Sequence, residues 1–141
     1  MFKDAPPAAA TPAEVADQPE RYHGADIVWG GKIIDVRNLA DTTEIEVVAY
    51  PLDDAQRPEQ TAQAQGRFIV ALPDYVEPLD LPPGRFLTLR GHVAGTRTAR
   101  IDEHDLAFPL VANATVHLWP SNFPYEPSRV HFSFGVGVGI H

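Results

Sequence analysis

The chain contains no cysteine, which excludes a disulfide framework, a thiolate metal site and a cysteine nucleophile, and leaves the compartment unreadable from redox chemistry. Serine is scarce as well. Ser121, Ser128 and Ser133 are the only three, all close to the C-terminus, and no nucleophile elbow or zincin motif occurs. Positive charge is also short: eleven Lys and Arg stand against nineteen Asp and Glu, for a formal net charge of −8. That balance opposes binding to polyanions, and no nucleic-acid partner is expected. No apolar run approaches the ~18 residues of a membrane-spanning helix, and the opening MFKDAPP lacks the apolar centre of a signal peptide. As given, the chain reads as soluble.

What is present is enough for one domain with a core, at 141 residues and 44% hydrophobic. The organising stretch is residues 27–58, which reads as two long strands folded back on each other with a turn at 38–41. Ile27 and Trp29 share one parity, and Ile34 and Val36 the other. A straight strand cannot send all four to one face. A β-bulge at Gly30 and Gly31 would restore a common apolar face and bend the strand. In the second strand Ile45, Val47 and Ala49 alternate with Glu44, Glu46 and Val48, the period of a half-buried strand. A bent first strand paired with a long second one is how small, partly open barrels of the OB type begin.

Before this hairpin, residues 1–10 carry prolines and alanines and read as a flexible tether. Thr11, Pro12 and Glu14 have capping-box spacing, which predicts a short helix from Pro12 towards Asp17, ended by Pro19. After the hairpin, residues 53–65 read as a polar surface connection and 66–72 as a third strand. Residues 73–83, with four prolines, read as an irregular excursion. Residues from Gly84 form a central fourth strand with Leu87, Leu89, Gly91 and Val93 on one face. A turn falls within 95–105. Residues 106–119 return as a fifth strand that Pro109 breaks or displaces to an edge. At the C-terminus Phe132, Phe134, Val136, Val138 and Ile140 alternate with His131, Ser133 and three glycines, an extra edge strand or a strand for pairing with another chain.

Chemistry is thinly represented. Asp102, Glu103, His104 and Asp105 are adjacent, without the spacing and glycine of a hard-cation loop, and read as a solvated turn. His104 and Asp105 remain the weak metal candidates; no cofactor is expected. The histidines read as satisfied or surface residues rather than ligands, with a meeting of His92 and His117 across neighbouring strands as the alternative. Glu44 and Glu46 read as the wet face of a strand rather than an acid/base pair. Arg67, Phe68, Arg85, Phe86 and Arg90 interleave cations with rings as single-strand binders do, but the acidic balance points instead to arginines paired with acidic turns. Trp29, Arg67, Arg85 and Trp119 are the residues to inspect first for recognition, although both tryptophans are better suited to plugging a core or a barrel end.

The words VWGGKIIDVRN, TEIEVVAYPLD followed by Arg57 and Pro58, GRF at 66–68, PGR at 83–85, LTLRGHVAGT and HLWP at 117–120 together resemble the Slp family of Gram-negative outer-membrane lipoproteins, over about residues 20–120. The sequence departs from that family at 75–78, which read YVEP, and at 102–106, where EHDL stands in place of a turn richer in glycine and tyrosine. The resemblance implies a periplasmic domain held to the outer membrane by an acylated N-terminal cysteine. It further implies that a signal peptide and that cysteine were removed, with Met1 near or in their place. It implies a part in envelope maintenance or stress physiology and no established reaction.

The expected architecture is thus all-β: a small five- to six-stranded, OB-like, partly open barrel with a short N-terminal helix and a C-terminal extra strand. Residues 1–20 are the tether, 21–120 the Slp-like barrel domain and 121–141 a C-terminal extension. The expected function is non-enzymatic binding at the periplasmic face of the outer membrane, with an envelope protein or a second copy as partner. The alternatives are an assembly module working through the C-terminal strand, and a small-ligand or metal-binding barrel.

Overall fold

Two strands open the barrel. In the computed structural model, which describes residues 2–3, 10–73, 76–121 and 132–133, β1 (Asp26–Asn38) runs antiparallel to β2 (Thr42–Tyr50), from Gly30 opposite Tyr50 to Asn38 opposite Thr43. Ile27, Trp29 and Ile33 are buried on the inner face, and beyond a register slip between Ile33 and Asp35 it is Val36 that packs against the core. The parity change is therefore real, but the extra residue is Ile34 and not a glycine. A bulge residue near right-handed backbone angles suits any side chain, and Ile34 has no positive φ. The two glycines answer a different demand, close approach of neighbouring backbone. A β-carbon on Gly31 would collide with the Val48 carbonyl, and one on Gly30 would lie 2.7 Å from the Leu87 carbonyl oxygen and 2.8 Å from Leu52 Cδ2.

The second hairpin is β4 (Phe86–Ile101) with β5 (His104–Leu118). Leu87, Leu89, Gly91 and Val93 face the core, as the alternation predicts, and the chain reverses at Asp102 and Glu103, with φ of 49° and 67°. The expectation that Pro109 breaks β5 or pushes it to an edge is wrong. β5 is continuous and lies between β4 on one side and β3 and β6 on the other. Pro109 sits opposite Thr96, beside a register slip between Val93 and Thr96, where a missing ladder donor is tolerated. A second slip, between Arg90 and His92, is matched by Asn113 at φ 55°; asparagine is among the few side chains at ease there. The slip moves the inward set of β5 from Val111 to Ala114, Val116 and Leu118.

β3 (Arg67–Pro73) pairs antiparallel with β2 and closes the barrel by a short parallel join to β5, Ile69 with Leu110 and Val70 with Val111. The order β3-β2-β1-β4-β5 thus makes a closed, all-β, five-stranded barrel. β6 (Phe132–Ser133) adds to β5 opposite Val116 and Thr115; Phe134, Val136, Val138 and Ile140 lie outside the described residues.

The predicted helix is α1 (Pro12–Asp17), with the full capping box: Thr11 Oγ1 accepts from the Glu14 N–H at 3.2 Å and Glu14 Oε1 from the Thr11 N–H at 2.9 Å. A second helix, α2 (Pro19–Tyr22), was not foreseen; Pro19 starts it rather than only ending the first. Within the stretch read as a tether, Ala10 and Val15 belong to the barrel core, and the Ala13 N–H donates to the Gln65 carbonyl at 3.2 Å. Gly66, at φ 98°, leaves the room that Ala13 occupies.

Candidate functional site

The four residues singled out for recognition fall into different places. Trp29 is 6% exposed and lies in the main core, its ring 5.3 Å from that of Phe68. Its indole N–H donates to the Ala10 carbonyl at 3.0 Å, fastening the approach to α1 onto the barrel. Trp119 is 5% exposed and forms a separate cluster with Phe86 and the partly buried Tyr50. Arg85 meets it there, as Nε and Nη2 donate to the Trp119 carbonyl at 3.0 and 2.6 Å. Burial pulls the Arg85 guanidinium below its ordinary value. Arg67 stands apart, 2.9 Å from Glu46 of β2. Of the three arginines expected to pair with acidic turns, then, Arg67 takes a carboxylate within β2, Arg85 a backbone carbonyl, because β5 ends beside the start of β4, and Arg90 the carboxylate of Asp26 at the start of β1. The rings of Phe68 and Phe86 are buried rather than presented for stacking.

Behind the Trp119 corner lies the loop of residues 51–58, which sequence reasoning passed over as a polar connection. Asp53 builds it. Oδ1 accepts from the N–H groups of Ala55 and Arg57 at 2.8 and 2.9 Å, Oδ2 accepts from Arg57 Nε at 2.9 Å, and Leu52 bridges to Pro58. Burial pushes the Asp53 carboxyl up, but these hydrogen bonds outweigh it and hold the group below its ordinary value. The loop fixes Gln56 at φ 61° with its carbonyl accepting from Thr88 Oγ1 at 2.7 Å, while that hydroxyl accepts from the Trp119 indole at 3.0 Å. The bare Gly30 lets Leu52 and Thr88 come this close over β1. The signal was in the sequence as Asp53 and Arg57 four apart, inside PLD and RP.

Two further ion pairs have partners that the sequence did not name. Arg90 grips Asp26 with Nε at 3.1 Å and Nη2 at 2.6 Å, and these bonds hold the Asp26 carboxyl below its ordinary value. Glu44, read as part of a wet face, is 4% exposed and takes Arg97 Nη2 at 2.6 Å. Its partner comes from the far part of β4, which no periodicity could link to β2.

The remaining candidates do not assemble. His104 and Asp105 are exposed beside the β4–β5 turn, and Asp105 is 3.9 Å from Arg100. Among the described residues no group of three His, Asp or Glu is placed to hold a metal ion. His92 lies opposite Ala112 and His117 opposite Thr88, so the two do not meet. A cavity of about 260 Å³ lies between α1 and the barrel, lined in part by Ala10, Glu14, Val28, Trp29, Tyr50 and Leu52; it is smaller than the ~300 Å³ at which ligand pockets begin.

A family model described as "Outer membrane lipoprotein Slp family" matches residues 1–136. Three relatives are similar to this chain. An uncharacterized protein of Haemophilus influenzae is 32% identical over 80% of the chain and 62% of its own length. The outer membrane protein Slp of Escherichia coli is 29% identical over 74% of the chain and 55% of its own length. The uncharacterized lipoprotein YeaY of Escherichia coli is 26% identical over 74% and 54%. The chain thus spans little more than half the length of these curated relatives. No solved structure matches it.

Proposed function

This chain belongs to the outer membrane lipoprotein Slp family, and from that premise we propose that it is the periplasmic, non-catalytic barrel of a lipid-anchored envelope protein, acting by binding in envelope maintenance or stress response. The observation that carries this reading is the family match across residues 1–136, which spans the whole barrel. The chemistry of the barrel supports it: Arg67, Arg85, Arg90 and Arg97 are each committed to a carboxylate or a carbonyl within the fold, leaving an architecture built from its polar groups rather than a cleft that exposes them. The OB-like description finds support in the sharing of one bent strand, β1, by β2 and β4. Palmitate labelling and membrane fractionation of the natural gene product test the anchor. A labelled protein in the outer-membrane fraction, degraded by protease only once the periplasm is opened, is the expected result; an unlabelled soluble protein removes the reading.

A second reading has its own observation. β6 lies on β5 opposite Thr115 and Val116, and further along β5 Leu110 and Val111 are paired with β3. The alternating Phe-Val-Gly sequence that follows Ser133 is suited by its pattern to β-augmentation with a second copy or an envelope protein. Light scattering on the full chain and on a version ending at Pro120 decides between them: a larger mass for the full chain alone supports assembly, and identical monomeric masses dismiss it.

A further inference from the structure

Three side chains of the barrel hold the N-terminal end of the chain by its backbone. Gln56 does so twice: Oε1 accepts from the Phe2 N–H at 2.8 Å and Nε2 donates to the Phe2 carbonyl at 3.3 Å. This is the two-way pairing that one strand residue offers another. Arg90 Nη1 donates to the Lys3 carbonyl at 3.2 Å, and the Trp29 indole to the Ala10 carbonyl at 3.0 Å. None of these bonds reads a side chain of the segment. Each holding group is itself fixed. Arg90 is oriented by its bidentate grip on Asp26, Trp29 is packed on Phe68, and Gln56 is held in a left-handed conformation by the Asp53 loop and by Thr88. A non-glycine residue at positive φ costs energy that the surroundings must offset, and such positions collect where a ligand is gripped.

We propose that Gln56, Arg90 and Trp29 form a clasp for peptide backbone, and that its occupant is the chain's own N-terminal segment, seized at residues 2–3 and again at Ala10. Phe2 and Lys3 are thereby pinned to the barrel at the Gln56–Arg90 corner. A free stretch from residue 2 to residue 10 would reach about 30 Å at ~3.3–3.6 Å per residue; the clasp removes that reach. In a tethered protein, the reading on which only this consequence rests, the barrel would be held close to its anchor with one face fixed. The clasp itself does not depend on a lipid.

The test uses the 141-residue chain with no lipid attached, so its failure is distinct from a failure of the tethering reading. A nitroxide is attached at Lys3→Cys, whose side chain takes no part in the clasp contacts described, and its mobility is measured in the parent and in Gln56→Asn. Asparagine accepts the left-handed backbone but is too short to keep both bonds. The clasp requires an immobilised label in the parent and a mobile one in the variant, with an unchanged spectrum from a control label at Thr98→Cys. Equal mobility in both overturns it. Should Gln56→Asn fail to fold, amide exchange in the parent decides: the Phe2 N–H is expected to exchange about five- to tenfold more slowly than in an unstructured peptide, as one hydrogen bond provides. An unprotected Phe2 amide overturns the clasp.

Discussion

The two tryptophan corners look alike and do different work. Both indoles are nearly buried and both N–H groups find an oxygen, but Trp29 reaches a backbone carbonyl on an added segment whereas Trp119 reaches Thr88, a side chain of the barrel. Trp29 sits in the continuous core with Ile33, Val47 and Phe68. Trp119 shares a small cluster with Phe86 and Tyr50 outside it. The same residue type therefore serves once as core filler that recruits a helix and once as a seal where the last barrel strand ends. The difference lies in what surrounds the ring, since a large side chain in a close-packed interior leaves a cavity that little can collapse into.

The largest effect should follow from Trp29→Ala. Loss of a core ring typically costs ~3–5 kcal/mol, and here the Ala10 carbonyl loses its donor as well, so urea unfolding should shift strongly and the amides of α1 should exchange faster. A comparable loss of stability with α1 still protected would break the contrast. Trp119→Ala should cost less, near ~3 kcal/mol, with no change in α1 protection. Next comes Arg85→Met, which removes both bonds to the Trp119 carbonyl and keeps much of the side-chain volume. A cost of about 1–2 kcal/mol is expected by denaturant titration, confined to the Trp119 corner.

The smallest effect is a response to acid. Asp53 has its folded value held below the ordinary 3.8, so the stability it contributes is fully present above that value and is lost as pH falls through the folded one. With Arg57 half exposed the contribution is expected to stay below about 1 kcal/mol. Because the Asp53 loop carries Gln56 and through it Thr88, acid below about pH 4 should loosen the Trp119 corner before the Trp29 corner, which leans on a backbone carbonyl. Trp29→Phe leaves Trp119 as the sole fluorescent indole, and Trp119→Phe does the reverse. Parallel acid titrations of the two variants showing the same midpoint would remove the distinction.

Local patterns in the chain were legible and distant partnerships were not. The Thr11–Glu14 capping box could be read because its partners are three residues apart, and the inner face of β2 because strand alternation is strict. The parity change in β1 could also be read, but it was assigned to Gly30 and Gly31, since a sequence shows which residues are small and not which backbone lies above them. The pairing of Glu44 with Arg97, or of Arg85 with the carbonyl of Trp119, depends on how the barrel closes. Charge and period along the chain hold no record of that. The burial of both tryptophans agrees with the plug reading; which oxygen each indole meets, the Ala10 carbonyl or Thr88, is the part that depends on closure.

The short join between β3 and β5 has a kinetic consequence. The hairpins β1–β2 and β4–β5 close turns of a few residues, whereas the join ties Ile69 and Val70 to Leu110 and Val111 across the intervening fourth strand. Hairpins form in about 1–10 μs, and pairings between residues far apart in sequence must first meet the entropy of closing a long loop. The barrel should therefore assemble as two hairpins sharing the β1–β4 border and seal last at the β3–β5 seam. Until it does, both strands offer open edges on which another chain could pair, which makes this seam the place where folding and aggregation compete.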